Sequence, residues 1–266
     1  MALKITILGC GSSGGVPRAG LGWGACDPNE PRNRRRRCAA LVEQQGSEGV
    51  TSVLIDTGPD LREQLLSAGV TRLDAVLYTH DHADHTHGID DLRPLVLAMR
   101  RRMPAHADAI TGGSLRERFG YCFASPPGSD YPPIIDLDLF EPHGPVSVTG
   151  PGGTLTFAPF PVEHGAGYRA FGFRVNGCVY CPDINRLLPE SERYFDGADT
   201  LILDALRYTR HPTHFSVDEA LAVIDRFAPR RAVLTNLHSD IDYATLADRL
   251  PAGIAPAYDG LVVDTP

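Results

Sequence analysis

The chain predicts an α/β protein built on mixed β-sheets, and two observations carry that expectation. Short apolar runs rich in β-branched residues cluster in both halves, and stretches with helical spacing follow each cluster. In the first half, strands are expected near 3–8, 38–43, 52–56 and 74–79, with helices near 60–68 and 89–102. The second half predicts strands near 154–161, 169–175, 178–182, 200–204 and 231–235, with helices near 216–227 and 243–250. The first of these helices has the better-marked start: Ser216 and Glu219 have capping-box spacing, and Val217, Ala220, Leu221, Ile224 and Phe227 follow on one face. Periodicity alone fixes only α/β with mixed sheets. The clustering suits a four-layer αββα sandwich, two packed sheets flanked by helices on both outer faces.

Residues 1–266 read as a single domain with the apolar content of an ordinary globular protein. The net charge is −8, so a nucleic-acid partner is disfavoured. The apolar run Ile5 to Leu8 lacks a basic leader and a cleavage site and reads as a core strand. No stretch reaches the ~20 apolar residues that cross a bilayer, so no membrane partner is expected and the expected location is the cytoplasm. The six cysteines show no paired framework. Cys178 and Cys181 lie three apart on an expected strand and so face opposite sides, which favours two small core residues over a metal grip.

The densest chemistry is Thr79-His80-Asp81-His82-Ala83-Asp84-His85, directly after the strand-like run Asp74 to Tyr78. Three histidines and two aspartates in seven residues point to a metal site, since neutral imidazoles and carboxylates suit Zn²⁺, Mn²⁺ and Fe²⁺. His80 and His82 are two apart and share a face in extended chain. Asp84 and His85, at the bend into a helix, diverge toward a second ion. Asp81 points the other way and is not counted as a ligand.

This segment matches the H-x-H-x-D-H signature and resembles the metallo-β-lactamase-fold hydrolases. That resemblance implies the αββα sandwich and two divalent metal ions, zinc or manganese. By it, His80, His82 and His164 hold one ion, Asp84, His85 and His238 hold the other, and Asp183 bridges them. One departure stands out: the related phosphodiesterases read Leu-Thr-His on the last strand, whereas Leu234-Thr235 is followed here by Asn236. Either His238, by a bulge, or Asn236 is expected at that position.

Leu8 to Pro17, Trp23 to Pro28, Asn33 to Arg37, Asp56-Thr57-Gly58 and Thr213 to Ala220 narrow the likeness. They are similar to the PhnP-like family of phosphodiesterases that open phosphoribosyl 1,2-cyclic phosphate. Some relatives carry a structural zinc in an N-terminal cysteine cluster; only Cys26 occupies that region, so no such site is expected. Asp56 is either a turn aspartate or, by the resemblance, a carboxylate that orients a ligand histidine through its other ring nitrogen. His214, two residues before a helix cap, is the best candidate for a catalytic group that also meets an anionic substrate. The run Arg34 to Arg37 is either solvated surface or a phosphate site, with Arg35 and Arg37 sharing a face if extended. The proline-rich stretch 121–164 reads as a loop or lid carrying Tyr121, Phe123 and Tyr131.

The expected reaction is hydrolysis of a small phosphodiester, such as a ribose cyclic phosphate or nucleotide, by a hydroxide bridging two metals. Asp84 would take the water's proton and His214 would meet the leaving oxygen. Three other classes remain: a same-fold hydrolase of a lactone, thioester or β-lactam, a tRNA 3′-processing nuclease, and a non-catalytic metal-binding carrier. The expected partner is a small-molecule phosphodiester, and a homodimer is allowed.

Overall fold

The computed structural model describes residues 3–265. Its strands are β1 Leu3–Gly9, β2 Ala39–Gly46, β3 Gly49–Ile55, β4 Ala75–Leu77, β5 Met103–Ala107, β6 Ile135–Leu139 and β7 Val146–Gly150. They continue with β8 Gly153–Glu163, β9 Arg169–Val175, β10 Cys178–Cys181, β11 Thr200–Asp204, β12 Arg231–Thr235, β13 Ile254–Pro256 and β14 Val262–Thr265. One sheet runs β14-β1-β2-β3-β4-β5-β6 and the other β13-β12-β11-β10-β9-β8-β7. Each sheet is mixed. β1 to β3 pair antiparallel and β3 to β6 parallel; β7 to β10 pair antiparallel and β10 to β13 parallel.

The sandwich follows from period-two alternation. Val42, Val53 and Ile55 of the first sheet meet Phe157, Phe173 and Tyr180 of the second in a shared core. Their neighbours Leu41, Leu54 and Val76 turn outward beneath Leu61, Leu65, Leu95 and Val96 of the helices Leu61–Ser67 and Arg93–Met99. On the far side, Leu201 and Leu203 pack under Val217, Ala220 and Ile224 of the helix Val217–Phe227. Ser216 and Glu219 make the capping box that starts this helix. Cys178 falls in the shared core and Cys181 on the outer face, as their spacing requires. Among the described residues no helix is long and apolar enough to cross a membrane.

Three expectations are corrected. The stretch 121–164 is not a lid: β6 and β7 within it form the outer edge strand of each sheet, and the chain passes from one sheet to the other between them. Edge strands bury one face only and tolerate the aspartates and prolines that disguised them. Tyr121 and Tyr131 are exposed, and the Arg93 guanidinium lies 5.8 Å from the Tyr131 ring centre. The helix expected over 89–102 begins as a 3-10 turn at Ile89–Leu92 and stops at Met99, where Arg100 turns left-handed (φ 55°) to feed β5. The last expected helix is the shorter Tyr243–Ala247, because the chain must return to β13.

The shared core sets stability. Truncating the fully buried Phe157 to Ala is expected to cost about 3–5 kcal/mol, read as a lowered urea midpoint with unchanged folded-state circular dichroism.

Candidate metal centre

Six strands deliver side chains to one rim of the sandwich. Just past their C-terminal ends stand Asp56 after β3, His80 after β4, His164 after β8, Asp183 after β10 and Asn236 after β12, while Asp204 closes β11. Polar groups collect there because the ladder ends while both sheets still exclude water on either side. His82 lies between β4 and the short helix Ala83–Thr86, which carries Asp84 and His85.

The ring nitrogens converge. His80 Nε2 lies 3.0 Å from His82 Nδ1, and His164 Nε2 lies 3.3 Å from the same atom. His85 Nε2 is 3.2 Å from Asp183 Oδ2 and 3.5 Å from Asp84 Oδ2. His164 Nε2 is 3.7 Å from Asp183 Oδ1, so this one carboxylate faces both histidine groups. Three sets of donors each fall within 4.8 Å of one another: His80 with His82 and His164, His80 with His85 and Asp183, and His164 with Asp183 and His214.

The tautomers follow from the outer contacts. His164 Nδ1 donates to the Thr213 carbonyl at 2.7 Å, which leaves its Nε2 lone pair facing inward. His85 Nδ1 donates to Asp56 Oδ2 at 2.7 Å with the same consequence. Thr79 Oγ1 gives its own proton to Asp56 Oδ2 at 2.7 Å, so at 2.9 Å it accepts from His80 Nδ1. Asp56 therefore orients two histidines, one directly and one through Thr79.

Electrostatics separates the donors into two kinds. Burial holds His80 well below the usual imidazole range, lowers His82, and takes His164 down to about 4, so all three stay neutral. Burial acts the same way on His85, but Asp183, Asp56 and Asp84 outweigh it and raise that ring. Burial would raise Asp183, and the neighbouring histidines, His85 foremost, pull it well below the carboxylate range instead. This corner demands positive charge. Asp183 Oδ2 is buried and has no aligned hydrogen-bond donor among the described residues, as expected of an oxygen shaped for a cation. The residues fit divalent metal.

Close approach is enforced by glycine. A Cβ on Gly58 would stand 2.1 Å from the Asp84 carbonyl oxygen, so only glycine lets the Asp56 turn underlie the Asp84-His85 helix.

The other expected site residues divide. Asp81 faces away, accepting from the Tyr168 hydroxyl and from Arg118 Nη2 at 3.2 Å. His214 joins the cluster, with Nδ1 2.8 Å from Asp204 Oδ2 and 3.7 Å from Asp183 Oδ1. His238 does not: its Nε2 meets an Arg18 guanidinium nitrogen and its Nδ1 lies 3.1 Å from Asp240 Oδ2. Asn236 takes the place after β12, held left-handed at φ 61° and buried, because no bulge carries the chain two residues further inward. Arg35 is corrected as well. Its guanidinium is buried and donates to Asn33 Oδ1 at 3.0 Å and to the His238 carbonyl at 3.3 Å, bracing two loops instead of reaching a substrate. Arg37 pairs with Asp60 at 3.1 Å on the wall of a cleft of about 700 Å³.

Two residues escaped the sequence reading. Asp204 ends an apolar run and looked like a strand terminus, yet it is fully buried against His214 and also accepts from the Ile184 amide at 3.0 Å. Burial pushes Asp204 upward and lowers His214, but the Asp204 charge outweighs burial at the ring and raises it. The Ile184 amide, donating to the same Oδ2, favours the carboxylate form of Asp204. Tyr168, in the β8–β9 loop, stacks on His82 with ring centres 4.8 Å apart.

Residues 51–236 match the family described as the beta-lactamase superfamily domain. The chain belongs to the β-lactamase superfamily. It has the metallo-β-lactamase fold. It is similar to a solved structure described as a new diphosphatase from the PhnP family, at 33% identity and TM-score 0.88, covering 100% of this chain and 98% of that one. It is 31% identical over 264 residues to an octanoyltransferase of Porphyromonas gingivalis, covering 97% of this chain but 51% of the relative, so it spans about half that protein's length. A shorter likeness, 39% over 74 residues, covers 27% of this chain and 22% of a ribonuclease Z of a Bradyrhizobium species.

Two substitutions probe this framework. Asp56→Asn is expected to lower divalent-metal affinity about 10–100-fold, measured by calorimetric titration of metal-free protein, because the ligand rings lose their anchor. Arg35→Ala is expected to lower stability by about 1–3 kcal/mol in urea, from the polar partners it leaves buried and unpaired, with metal affinity unchanged.

Proposed function

We propose that this superfamily member is a metal-dependent phosphodiesterase acting on a small phosphodiester, of the ribose cyclic phosphate or nucleotide class. The observation that carries the reading is the placement of His214, with Nδ1 2.8 Å from Asp204 Oδ2 and 3.7 Å from Asp183 Oδ1, beside the converging histidines. A phosphodiester carries a negative charge and must expel an alkoxide, and an imidazole so placed can serve both needs.

His80, His82 and His164 would hold one divalent cation, and Asp84, His85 and Asp183 a second. Bound there, such cations activate water near neutral pH and neutralise phosphoryl charge. The chain's own residues do the rest. The bond to Asp204 uses His214 Nδ1 and leaves Nε2 to hydrogen-bond a phosphoryl oxygen and then protonate the leaving group. Asp84, partly exposed beside His85, is placed to take a proton from water. Arg37, on the cleft wall, supplies charge for the remainder of the substrate.

A second reading is hydrolysis of a diphosphate linkage, favoured by the likeness to the PhnP-family diphosphatase across the whole chain. Both place a phosphoryl group on the same ligands, and they differ in what leaves.

The test is release of nitrophenolate from bis(p-nitrophenyl) phosphate by chelated protein reloaded with Mn²⁺ or Zn²⁺. Metal-restored turnover that Asp183→Ala abolishes is expected, with a loss in kcat of about 10²–10⁴ in His214→Ala on a ribose cyclic phosphate, whose alkoxide must be protonated as it leaves. Turnover of diphosphate diesters alone would select the second reading. No turnover of either class with bound metal would end both.

A further inference from the structure

We infer that the two cation positions are unequal, one tight and one weak, because Asn236 withholds the second nitrogen that the second position lacks. This rests on the metal-dependent reading above and is independent of its substrate.

The first position draws three neutral imidazoles, His80, His82 and His164, whose ligand atoms lie within 4.8 Å of one another. Each of His80 and His164 is oriented by a hydrogen bond behind the ring, at 2.9 Å to Thr79 and 2.7 Å to Thr213. Such a set is assembled before metal arrives. The second position has a single imidazole, His85, with Asp84 and a share of Asp183.

Directly after β12, where the ligand pattern expects a further nitrogen, stands the Asn236 amide. Its Nδ2 donates to the Pro182 carbonyl at 2.9 Å and to Asp183 Oδ1 at 3.1 Å. An amide nitrogen in that role has no lone pair for a cation, and it bonds Asp183 Oδ1, leaving Oδ2 to face His85. Neither nearby histidine compensates. His214 is tied to Asp204, and the His238 ring is turned to Arg18 and Asp240.

The experiment is a Mn²⁺ titration of metal-free protein, followed by calorimetry and by electron paramagnetic resonance, which reports a spin-coupled pair directly. The wild type is expected to bind one Mn²⁺ tightly and a second at least about tenfold more weakly, consistent with the loss of one oriented ligand. Asn236→His, a residue tolerated in the left-handed region, is expected to tighten the second step about tenfold or more and to raise the coupled signal at two equivalents. His85→Ala is expected to remove the weak step and spare the tight one, which keeps the inference testable if the Asn236 variant does not fold. Two equally tight ions in the wild type would overturn it, as would loss of the tight step in His85→Ala. Unequal binding without phosphoryl turnover would remove the proposed substrate class and leave this inference standing.

Discussion

One buried carboxylate organises the rim. Asp56 has no exposed surface and sits at φ 66°, a conformation that costs backbone energy for a residue with a Cβ. It receives the Thr79 amide at 2.8 Å, the Thr79 hydroxyl at 2.7 Å and His85 Nδ1 at 2.7 Å. Burial raises its pKa, and those donors oppose the rise. An ionised group so desolvated persists only where it is fully hydrogen-bonded, and here each bond also fixes something useful. The ends of β3 and β4 are locked together, and the rings of His80 and His85 are aimed inward.

The rest of the sandwich supports that arrangement. Two sheets sharing one core hold the ends of their parallel strands at one rim, so ligands far apart in sequence meet without long loops to order. Rim loops are bonded across elements: the Thr57 amide donates to the His85 carbonyl at 2.8 Å and the Gly88 amide to the Thr57 carbonyl at 2.7 Å. Carboxylates crowded at Asp56, Asp84 and Asp183 repel one another, and the apolar layers must offset that cost until a cation does so. Mutual repulsion at a site and affinity for metal are the same free energy viewed with the cation absent or present.

Much of the site was legible because its spacing is local. His80 to His85 declare a ligand cluster in six residues, and Asp56, His164 and Asp183 each follow an apolar run that ends at the rim. What stayed hidden depends on contacts between distant elements. Asp204 reads as the end of a strand until the chain ten residues on brings His214 back to it. Arg35 and Arg37 alternate as extended chain should, but alternation does not say which face is buried, and Arg35 proved to be the internal brace. β6 and β7 were hidden by their own edge position, since a half-exposed strand with aspartates and flanking prolines has the composition of a loop.

Asn236 shows why a single departure from a ligand pattern need not disable a site. Its Nδ2 lies 3.1 Å from Asp183 Oδ1 and 3.2 Å from His214 Nδ1, so one amide touches both that carboxylate and the ring paired with Asp204. A histidine there would add a nitrogen for metal and bring a bulkier ring against His214. Asparagine gives up that ligand and contacts both Asp183 and the Asp204–His214 pair, with His214 Nδ1 held 3.7 Å from Asp183 Oδ1. A closer approach would turn His214 into a partner for Asp183 and away from Asp204. The amide, neutral and donating on one side, keeps metal holding and proton holding as separate tasks within a few ångströms.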